Sequence, residues 1–528
     1  MRPEASWFAD AILYEIYPQS FADGNGDGIG DFAGVLEHLD HLAWLGVNTI
    51  WFNPCFASPF RDAGYDVSDY LQIAPRYGTN DDLVRIVDAG RARGMRVLLD
   101  LVAGHTSVEH GWFRAALTDP GDERFIWSDR PGPRFVASPG PRAGYYLKNF
   151  YDEQPALNFG YARPDPAQPW RKAPDAPGPQ ANRAALREII GFWLDRGVAG
   201  FRVDMATSLI KDDPDMAETA KLWRELTDWL HEAYPSAVLL PESGFPMPED
   251  FGVRGGFDGD FLLPIHEAHS ALFNNGGAGV LPWLVDYRGC FFDAAGPDGP
   301  GTFGTFARLW AAHRAATSAD RPVILASADH DFARLACGTR TAEQLGAAFA
   351  FLLTWGTVPA VYYGDEIGMR YLPGLPDHEG SVCNPNYNRA GCRTPMQWDD
   401  RAPNAGFSTA PAERLYLPQD PDPGRPTVSA QREDPASVLH TVRELIALRK
   451  QERALGVGAP TTVLHGDYPL VYLRGDRHLV VVNPLGAAAR APIDLAGRDV
   501  RVLAGTGVEV RDGQVRAERF GYGVFQLS

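Results

Sequence analysis

The Gly-Phe-Arg-Val-Asp stretch at residues 200–204 decides the fold, because it is a short, mostly apolar run that ends in an acidic residue. Runs of this kind that alternate with helical periodicity are typical of the strands of a parallel sheet. The chain contains eight such runs, which predict an α/β fold, a (β/α)8 TIM barrel with right-handed crossovers. The predicted strands are residues 11–17, 48–53, 96–102, 200–204, 237–240, 257–263, 323–327 and 360–363.

Amphipathic segments follow the first four of these strands. Residues 32–45 place Val35, Leu39 and Leu42 on one stripe, which predicts a helix packed against the sheet. The same pattern predicts helices at residues 79–93, 183–195 and 217–233.

Two regions interrupt the alternation of strand and helix. Residues 106–180 are rich in Pro and Gly and far longer than an ordinary βα loop, so they predict a subdomain inserted after the third strand. After a predicted helix at residues 437–453, short apolar runs separated by turns predict a C-terminal antiparallel β domain. We therefore divide the chain into a barrel (1–105 and 181–455), an inserted subdomain (106–180) and a C-terminal β domain (456–528). The C-terminal runs are residues 470–473, 479–482, 500–503 and 523–527.

Composition argues against several classes of partner. The chain of 528 residues has 49 Lys and Arg against 67 Asp and Glu, and its formal charge of -18 repels phosphate backbones and anionic lipid. Nucleic acid and membranes are therefore not expected as partners. The five cysteines form no CxxC pair, and the first ten residues contain no apolar signal segment, so we expect reduced thiols and a cytoplasmic location.

One stretch is long enough to cross a membrane. Residues 344–364 carry no charge, but Gly356 and Pro359 interrupt them. They predict a buried helix followed by a buried strand.

Acidic and histidine side chains follow several of the predicted strands. They occur in residues 100–105 (Asp-Leu-Val-Ala-Gly-His), in residues 200–204, at Glu242 and in residues 329–331 (Asp-His-Asp). In a parallel barrel these strand ends meet at one mouth. Carboxylates gathered there match the needs of glycosidic cleavage, which takes a proton donor and a negative charge facing the reacting carbon. Two neighbouring carboxylates do not ionise together readily, so one is expected to have a raised pKa and to serve as the donor. A purely structural Arg202–Asp204 pair is the alternative.

These motifs appear in a characteristic order. To those above the chain adds residues 46–54 (Gly-Val-Asn-Thr-Ile-Trp-Phe-Asn-Pro), 154–158 (Gln-Pro-Ala-Leu-Asn) and 356–366 (Gly-Thr-Val-Pro-Ala-Val-Tyr-Tyr-Gly-Asp-Glu). Over nearly its whole length the sequence resembles the α-amylase family of retaining glycoside hydrolases (glycoside hydrolase family 13), especially its oligo-1,6-glucosidase, α-glucosidase and trehalose synthase branch.

The resemblance implies roles for six residues. Asp204 would be the nucleophile that forms a β-glycosyl-enzyme, Glu242 the acid and then the base, and Asp331 the group that stabilises the distorted sugar. The residues implied to hold the sugar at the cleaved end and to orient the nucleophile are His105, Arg202 and His330.

Further residues are implied to close the sugar pocket. Residues 61–66 resemble the segment in which α-glucosidases place an acid, here Asp62, and a stacking tyrosine, here Tyr65, against the terminal glucose. Arg393 resembles the arginine that pairs with that acid, and an Asp62–Arg393 pair would favour action at the chain end. Phe150 is predicted as an aromatic wall, with a core position as the alternative.

The loop at residues 23–31 repeats oxygen ligands at every second position. Asp23, Asn25, Asp27, Ile29 (through its carbonyl) and Asp31 follow the pattern of a calcium loop, although Gly34 at position twelve excludes an EF-hand. The resemblance implies a structural Ca²⁺ or Mg²⁺ here, and no organic cofactor is expected. The alternative is an Asx-turn loop in which Asp31 only caps the next helix.

Four positions depart from the family pattern. Gly104 replaces an Asn and Ala156 an Asp, so a calcium ion between barrel and insertion is not expected. Asp329 replaces an Asn and adds a carboxylate that should raise a neighbouring pKa if it is buried. Met205 leaves the linkage preference open.

The sequence thus predicts a retaining α-glucosidase that removes the non-reducing terminal glucose of short α-glucoside oligosaccharides by double displacement. One alternative is a trehalose synthase-like enzyme or another α-transglucosylase, and an endo-acting amylase is another. A non-catalytic amylase-like transporter subunit comes from a different class, and the retained acids argue against it. The oligomeric state is left open.

Overall fold

Eight short, buried, parallel strands form the centre of the computed structural model, which describes residues 2–242, 248–274, 290–293, 301–318, 321–338, 340–384 and 387–528. Hydrogen bonding links them in the order β5-β4-β3-β2-β1-β8-β7-β6, and the end strands β5 and β6 contact each other. The predicted barrel is therefore confirmed. The strands are β1 (Leu13–Ile16), β2 (Thr49–Phe52), β3 (Arg96–Val102), β4 (Gly200–Asp204), β5 (Val238–Pro241), β6 (Asp260–Leu262), β7 (Val323–Ala326) and β8 (Val358–Tyr362).

Alternation along the strands separates two cores. Leu98 and Leu240 belong to a cluster inside the barrel, whereas Leu99 and Leu239 belong to the larger cluster between strands and helices. Because side chains two residues apart share a face, Asp100 and Glu242 continue the inner face at the carboxyl ends of their strands. The period of two thus directs the acids into the barrel mouth.

Helices cover the outside of the barrel. Helix α1 begins after Asp31, whose side chain accepts a hydrogen bond from the Gly34 N–H, and it ends at Gly46 with φ 98°. Helix α3 begins at Pro177, earlier than predicted, because proline favours the first helical position. The helices are α1 (Phe32–Leu45), α2 (Asn80–Ala92), α3 (Pro177–Leu194), α4 (Ala217–Ala233), α5 (Phe251–Arg254), α6 (Phe303–Ala316), α7 (Ala342–Thr354) and α8 (Val438–Gln451).

The uncharged stretch at residues 344–364 forms most of α7 and all of β8, as predicted. Within the described residues, no helix combines the length and the apolar content that a membrane crossing requires.

Shorter elements complete the barrel region. Within the insertion, Trp127–Ser128, Phe135–Ala137 and Tyr145–Leu147 form a three-stranded antiparallel sheet, and a bridge between His105 and Ala156 joins it to the end of β3. The other short helices and strands are Pro3–Asp10, Pro18–Phe21, Phe56–Ala57, Asp69–Ile73, Gly111–Ala116, Ala206–Ser208, Glu267–Leu272, Asp365–Ile367, Val382–Asn384, Tyr387–Asn388, Arg389–Cys392, Pro403–Gly406, Ala412–Arg414, Val428–Glu433 and Arg453–Leu455.

The C-terminal residues form a six-stranded antiparallel sheet in the order β9-β10-β11-β14-β12, with β13 paired to β14. The predicted antiparallel domain is confirmed, but the β13–β14 hairpin is much longer than the predicted runs. Most residues of β13 are exposed or half-buried, so no apolar run marks its length. Asp512 and Gly513, both with positive φ, form the turn. The strands are β9 (Thr461–His465), β10 (Leu470–Arg474), β11 (His478–Val482), β12 (Ala489–Pro492), β13 (Val500–Arg511) and β14 (Gln514–Leu527).

Candidate active site

The carboxyl ends of the barrel strands open into a cavity of about 460 Å³. Five acidic side chains border it, and the three predicted catalytic acids are among them. The predicted site residues that line the cavity are Asp62, Tyr65, His105, Phe150, Asp204, Glu242 and Asp331, while Arg202, His330 and Arg393 lie behind this layer.

Arg202 connects the acids at the base of the cavity. Its guanidinium binds Asp100 at 2.8 Å, Asp204 at 3.3 Å and Glu242 at 2.9 Å, and only 1% of its side chain is exposed. A buried cation shared by three carboxylates offsets part of the cost of removing these charges from water. The Arg202–Asp204 contact is therefore part of a shared acidic site and not an isolated structural pair.

Asp204 and Glu242 are the acids that the resemblance assigns to nucleophilic attack and proton transfer. The N–H of Met205, the residue after Asp204, donates to Glu242 Oε2 at 2.8 Å, and Met205 adopts a left-handed conformation with φ 42°. Burial and repulsion from Glu242 raise the pKa of Asp204, while Arg202 opposes the rise. A raised pKa is therefore present on Asp204, the implied nucleophile.

Asp331 lies between two arginines. Its Oδ1 accepts hydrogen bonds from Arg389 at 3.0 Å and from Arg393 at 2.9 Å. Burial by itself raises the pKa of Asp331, but His330 and the two guanidinium groups outweigh it and hold the pKa well below its usual range. Asp331 is therefore a fixed negative charge at the cavity.

The predicted Asp62–Arg393 pair is wrong. Asp62 pairs with Arg389 at 3.0 Å and accepts a second hydrogen bond from Gln154 at 2.7 Å. Arg393 instead binds Asp331 and donates to the His330 carbonyl at 2.7 Å. The short helix Arg389–Cys392 places the two arginines one turn apart, so the earlier one reaches Asp62. The sequence did not predict a role for Arg389, because no motif around it indicates that its side chain faces the cavity.

The remaining predicted binding residues form a packed wall. The Tyr65 ring stacks on His330 with centroids 5.5 Å apart, and its hydroxyl contacts His330 Nε2 at 2.7 Å. His105 is buried, with Nδ1 against Asn149 Nδ2 at 3.0 Å and Nε2 against the Tyr65 carbonyl at 3.1 Å. Phe150 is 42% exposed, so the alternative of a core position is wrong.

The other lining residues were not predicted to bind sugar. Met205, Met216, Ile265 and Phe332 among them add apolar surface to the cavity. These residues are Met205, Thr207, Met216, Ile265, Asp329, Phe332, Cys383, Tyr387 and Arg389.

The junction between barrel and insertion holds a lysine. Lys211 Nζ contacts Asn149 Oδ1 at 3.3 Å, and burial lowers the pKa of Lys211 to about 7. A Cβ at Gly104 would lie 2.9 Å from Asn149 Nδ2 and 2.7 Å from Ser208 Oγ, so a larger residue there would require these two side chains to move.

The hydrogen bonds of the loop at residues 23–31 are compatible with both predictions made for it, a cation-binding loop and an Asx-turn loop. Asp23 accepts the N–H groups of Gly26 and Gly28, each at 2.7 Å, and Asp31 caps α1. Burial and, in smaller part, repulsion from Asp23 raise the pKa of Asp31, so two carboxylates lie close together in an oxygen-rich loop. A hard cation would relieve that repulsion, and the residues therefore fit Ca²⁺ or Mg²⁺.

A family model for the catalytic domain of α-amylase matches residues 15–244 and 304–458, which is more than half of the chain. The chain belongs to the α-amylase family, as the resemblance implied. It is 33% identical to the trehalose synthase of Pimelobacter sp. (strain R48) over 93% of this chain and 89% of that relative. It is 31% identical to a probable α-glucosidase of Rhizobium meliloti (strain 1021) over 87% of this chain and 85% of that relative. The crystal structure of the trehalulose synthase MutB from Pseudomonas mesoacidophila MX-45 matches with a TM-score of 0.81 at 25% identity, covering 100% of both chains.

Asp329→Asn is expected to change how stability depends on pH. Burial and repulsion from Asp331 raise the pKa of Asp329 to about 8, whereas an unfolded Asp titrates near 4. The folded chain therefore binds one more proton in between, and stability falls as pH rises through this window by at most about 1.4 kcal/mol per pH unit. Asn keeps an oxygen to accept the Asp331 and Phe332 N–H groups and cannot ionise.

Urea unfolding of the wild type and of Asp329→Asn between pH 4 and 8 measures this difference, with the exposed Asp88→Asn as control. The wild type should lose stability relative to Asp329→Asn as pH rises. Parallel curves for these two proteins would contradict the raised pKa.

Arg389→Lys is expected to weaken substrate binding. Lysine cannot reproduce the two-pronged contact with Asp62 and Asp331, so KM on an aryl α-glucoside should rise about tenfold or more with a smaller change in kcat. Arg370→Lys, at a half-exposed pair with Asp420, is the matched control. Equal KM values for the two variants would show that the Asp62–Arg389 pair does not shape the pocket.

Proposed function

We propose that the protein is a retaining enzyme that acts on the non-reducing terminal glucose of short α-glucosides. The observation that supports this most strongly is the meeting of Asp204, Glu242 and Asp331 at one cavity, with the first two bound to the same guanidinium. An acid pair on either side of a glycosidic bond is the requirement of the double-displacement mechanism.

In the first step Asp204 attacks the anomeric carbon, the glycosidic bond breaks, and Glu242 passes its proton to the leaving oxygen. In the second step Glu242 takes a proton from water or from a sugar hydroxyl, whose oxygen attacks the same carbon and releases Asp204. Asp204 must be ionised to attack. The raised pKa of Asp204 therefore means that substrate binding has to favour the state with the proton on Glu242, and Arg202 supports the Asp204 anion.

The shape of the cavity supports action at a chain end. Asp62 is buried and accepts hydrogen bonds from Gln154 and Arg389, which are also buried, and this group forms a polar wall where Asp62 and Arg389 line the cavity. A wall of hydrogen-bonding groups suits the hydroxyls of a terminal sugar. An extended polysaccharide would need an open path there, so the endo-acting alternative is less well supported.

Transfer to a sugar is a second candidate outcome of the same chemistry. The relatives include both a trehalose synthase and a probable α-glucosidase at similar identity. The apolar lining from Met205, Met216, Ile265 and Phe332 offers a second sugar a surface beside the acids and limits the room for water. We therefore propose that the glucosyl-enzyme can be intercepted by a sugar, which would isomerise maltose to trehalose.

Each of the five cysteines lies in the described part of the chain and is a free thiol. This supports the proposal that the protein acts in a reducing compartment such as the cytoplasm.

Asp204→Asn tests the nucleophile. The amide keeps the shape of the side chain but cannot form the glycosyl-enzyme, so kcat on an aryl α-glucoside should fall by at least about 1,000-fold while the unfolding midpoint stays close to wild type. Asp212→Asn, at a surface ion pair, is the control. Retained turnover by Asp204→Asn would refute the assignment.

The fate of the glucosyl group is read from products. On incubation with maltose, hydrolysis gives glucose only, transfer to a second molecule gives longer oligomers, and isomerisation gives trehalose. We expect trehalose in addition to glucose. If glucose is the only product throughout the time course, the proposal of transfer is wrong and the enzyme is a hydrolase.

A structural cation in the loop at residues 23–31 is part of the proposal. Asp23, Asn25, Asp27 and Asp31 with the Ile29 carbonyl would hold Ca²⁺ or Mg²⁺ against the start of α1. Removing the ion with a chelator should lower the melting temperature, and Ca²⁺ should restore it, because an ion that binds only the folded chain stabilises it. Asp27→Ala should abolish the response to Ca²⁺, whereas Asp81→Ala on α2 should keep it. An identical response in both variants would place the ion elsewhere.

A further inference from the structure

Two histidines and a glutamate meet beside the cavity, outside the residues that the proposed mechanism uses. Glu249, His266 and His313 each offer a ligand atom, and these atoms all lie within 4.8 Å of one another. Glu249 precedes α5, His266 lies between β6 and the helix Glu267–Leu272, and His313 is on α6. Segments distant in sequence thus converge on one point.

His313 is the buried member of this cluster, with only 3% of its side chain exposed. Its Nδ1 lies 2.7 Å from Glu249 Oε2, so one metal ion can bind both atoms once the shared proton leaves. Its Nε2 has no hydrogen-bond partner among the described residues and lies 4.0 Å from Asp260 Oδ2. A metal on Nδ1 moves the ring proton to Nε2, where Asp260 can accept it. A metal-bound histidine usually has such a carboxylate behind it.

His266 supplies the third ligand. In the structure its Nδ1 accepts the N–H of Ala268, a capping contact of a helix of six residues. Coordination through Nδ1 would replace that contact, and one capping hydrogen bond is weak beside a metal–nitrogen bond. Glu249 has 38% of its side chain exposed, which gives an ion access from solvent.

We infer that Glu249, His266 and His313 form a binding site for a divalent transition metal ion of the Zn²⁺ class. Two imidazoles and one carboxylate suit Zn²⁺ or Co²⁺ better than Ca²⁺ or Mg²⁺, which prefer oxygen ligands. The site is therefore chemically distinct from the loop at residues 23–31. A bound ion would fasten the segment before α5 to α6 and to the loop that carries Ile265, a residue of the cavity wall.

A histidine–carboxylate pair elsewhere in the chain, with a half-buried histidine, provides the comparison. His231 lies 3.3 Å from Asp258, which also binds Arg2. This second pair contains a cation in place of a second histidine. His231→Gln is therefore a matched control that removes a histidine bound to an acid without touching the proposed site.

The test uses the intact chain, stripped with a chelator and then held in excess Ca²⁺ so that any oxygen-rich site is filled. Titration with Zn²⁺ by calorimetry should show one tight site in the wild type and in His231→Gln. His266→Gln and Glu249→Gln should each weaken binding at least about tenfold. With Co²⁺ in place of Zn²⁺, the visible absorption of a low-symmetry nitrogen–oxygen complex should appear in the wild type and be lost in both variants.

Melting temperatures guard against misfolded variants. Zn²⁺ should raise the melting temperature of the wild type and of His231→Gln but not that of Glu249→Gln, which keeps the size of the side chain. Absence of tight Zn²⁺ binding in the wild type, or unchanged binding in both His266→Gln and Glu249→Gln, would overturn the inference. Neither result depends on sugar turnover, so the proposed function stands or falls separately.

Discussion

A single buried guanidinium holds the charged centre of this molecule together. Arg202 contacts Asp100, Asp204 and Glu242, which come from three neighbouring strands of the barrel. Without it, three carboxylates would repel one another in a region that water hardly reaches. Arg202 therefore stabilises the closely spaced acids at the mouth of the barrel.

The acids Asp331 and Asp62 are also paired with arginines. Asp331 is bound by Arg389 and Arg393, and Arg389 also binds Asp62, so each of these two acids at the cavity is paired with an arginine. Asp329 forms no ion pair with an arginine among the residues that the structure describes, and burial, with repulsion from Asp331, raises its pKa. The cavity thus combines fixed negative charge at Asp331 with acids whose protonation depends on their neighbours. A glycosidic bond in the cavity would therefore lie near both a negative charge and a proton donor.

The barrel could be predicted because its signal is local. Each strand is a short apolar run. The period of two that buries Leu98 also directs Asp100 into the barrel, so the positions of the acids could be predicted from the strand ends. The partner of Asp62 could not be predicted in this way. Arg389 and Arg393 differ by one helical turn, and only the path of the loop decides which of them reaches the acid 327 residues earlier. The extent of β13 was missed for a different reason, since an exposed strand leaves little apolar pattern. The raised pKa of Asp204 could not be predicted either. It depends on the distances between side chains of different strands, which a linear motif does not contain.

The wall formed by Asp62, Gln154 and Arg389 affects how sugars would enter and leave the proposed pocket. In the proposed function this wall closes one side of the pocket, so the departing sugar and the next acceptor would share one entrance. A released sugar that is slow to leave blocks the approach of bulk water and is itself the nearest nucleophile. The rate at which the first sugar departs, relative to the lifetime of the proposed covalent intermediate, would then set the ratio of rearranged sugar to free glucose. Changes at Phe150, the exposed ring that borders the cavity, would therefore tune products through exit and entry while leaving the reacting acids untouched.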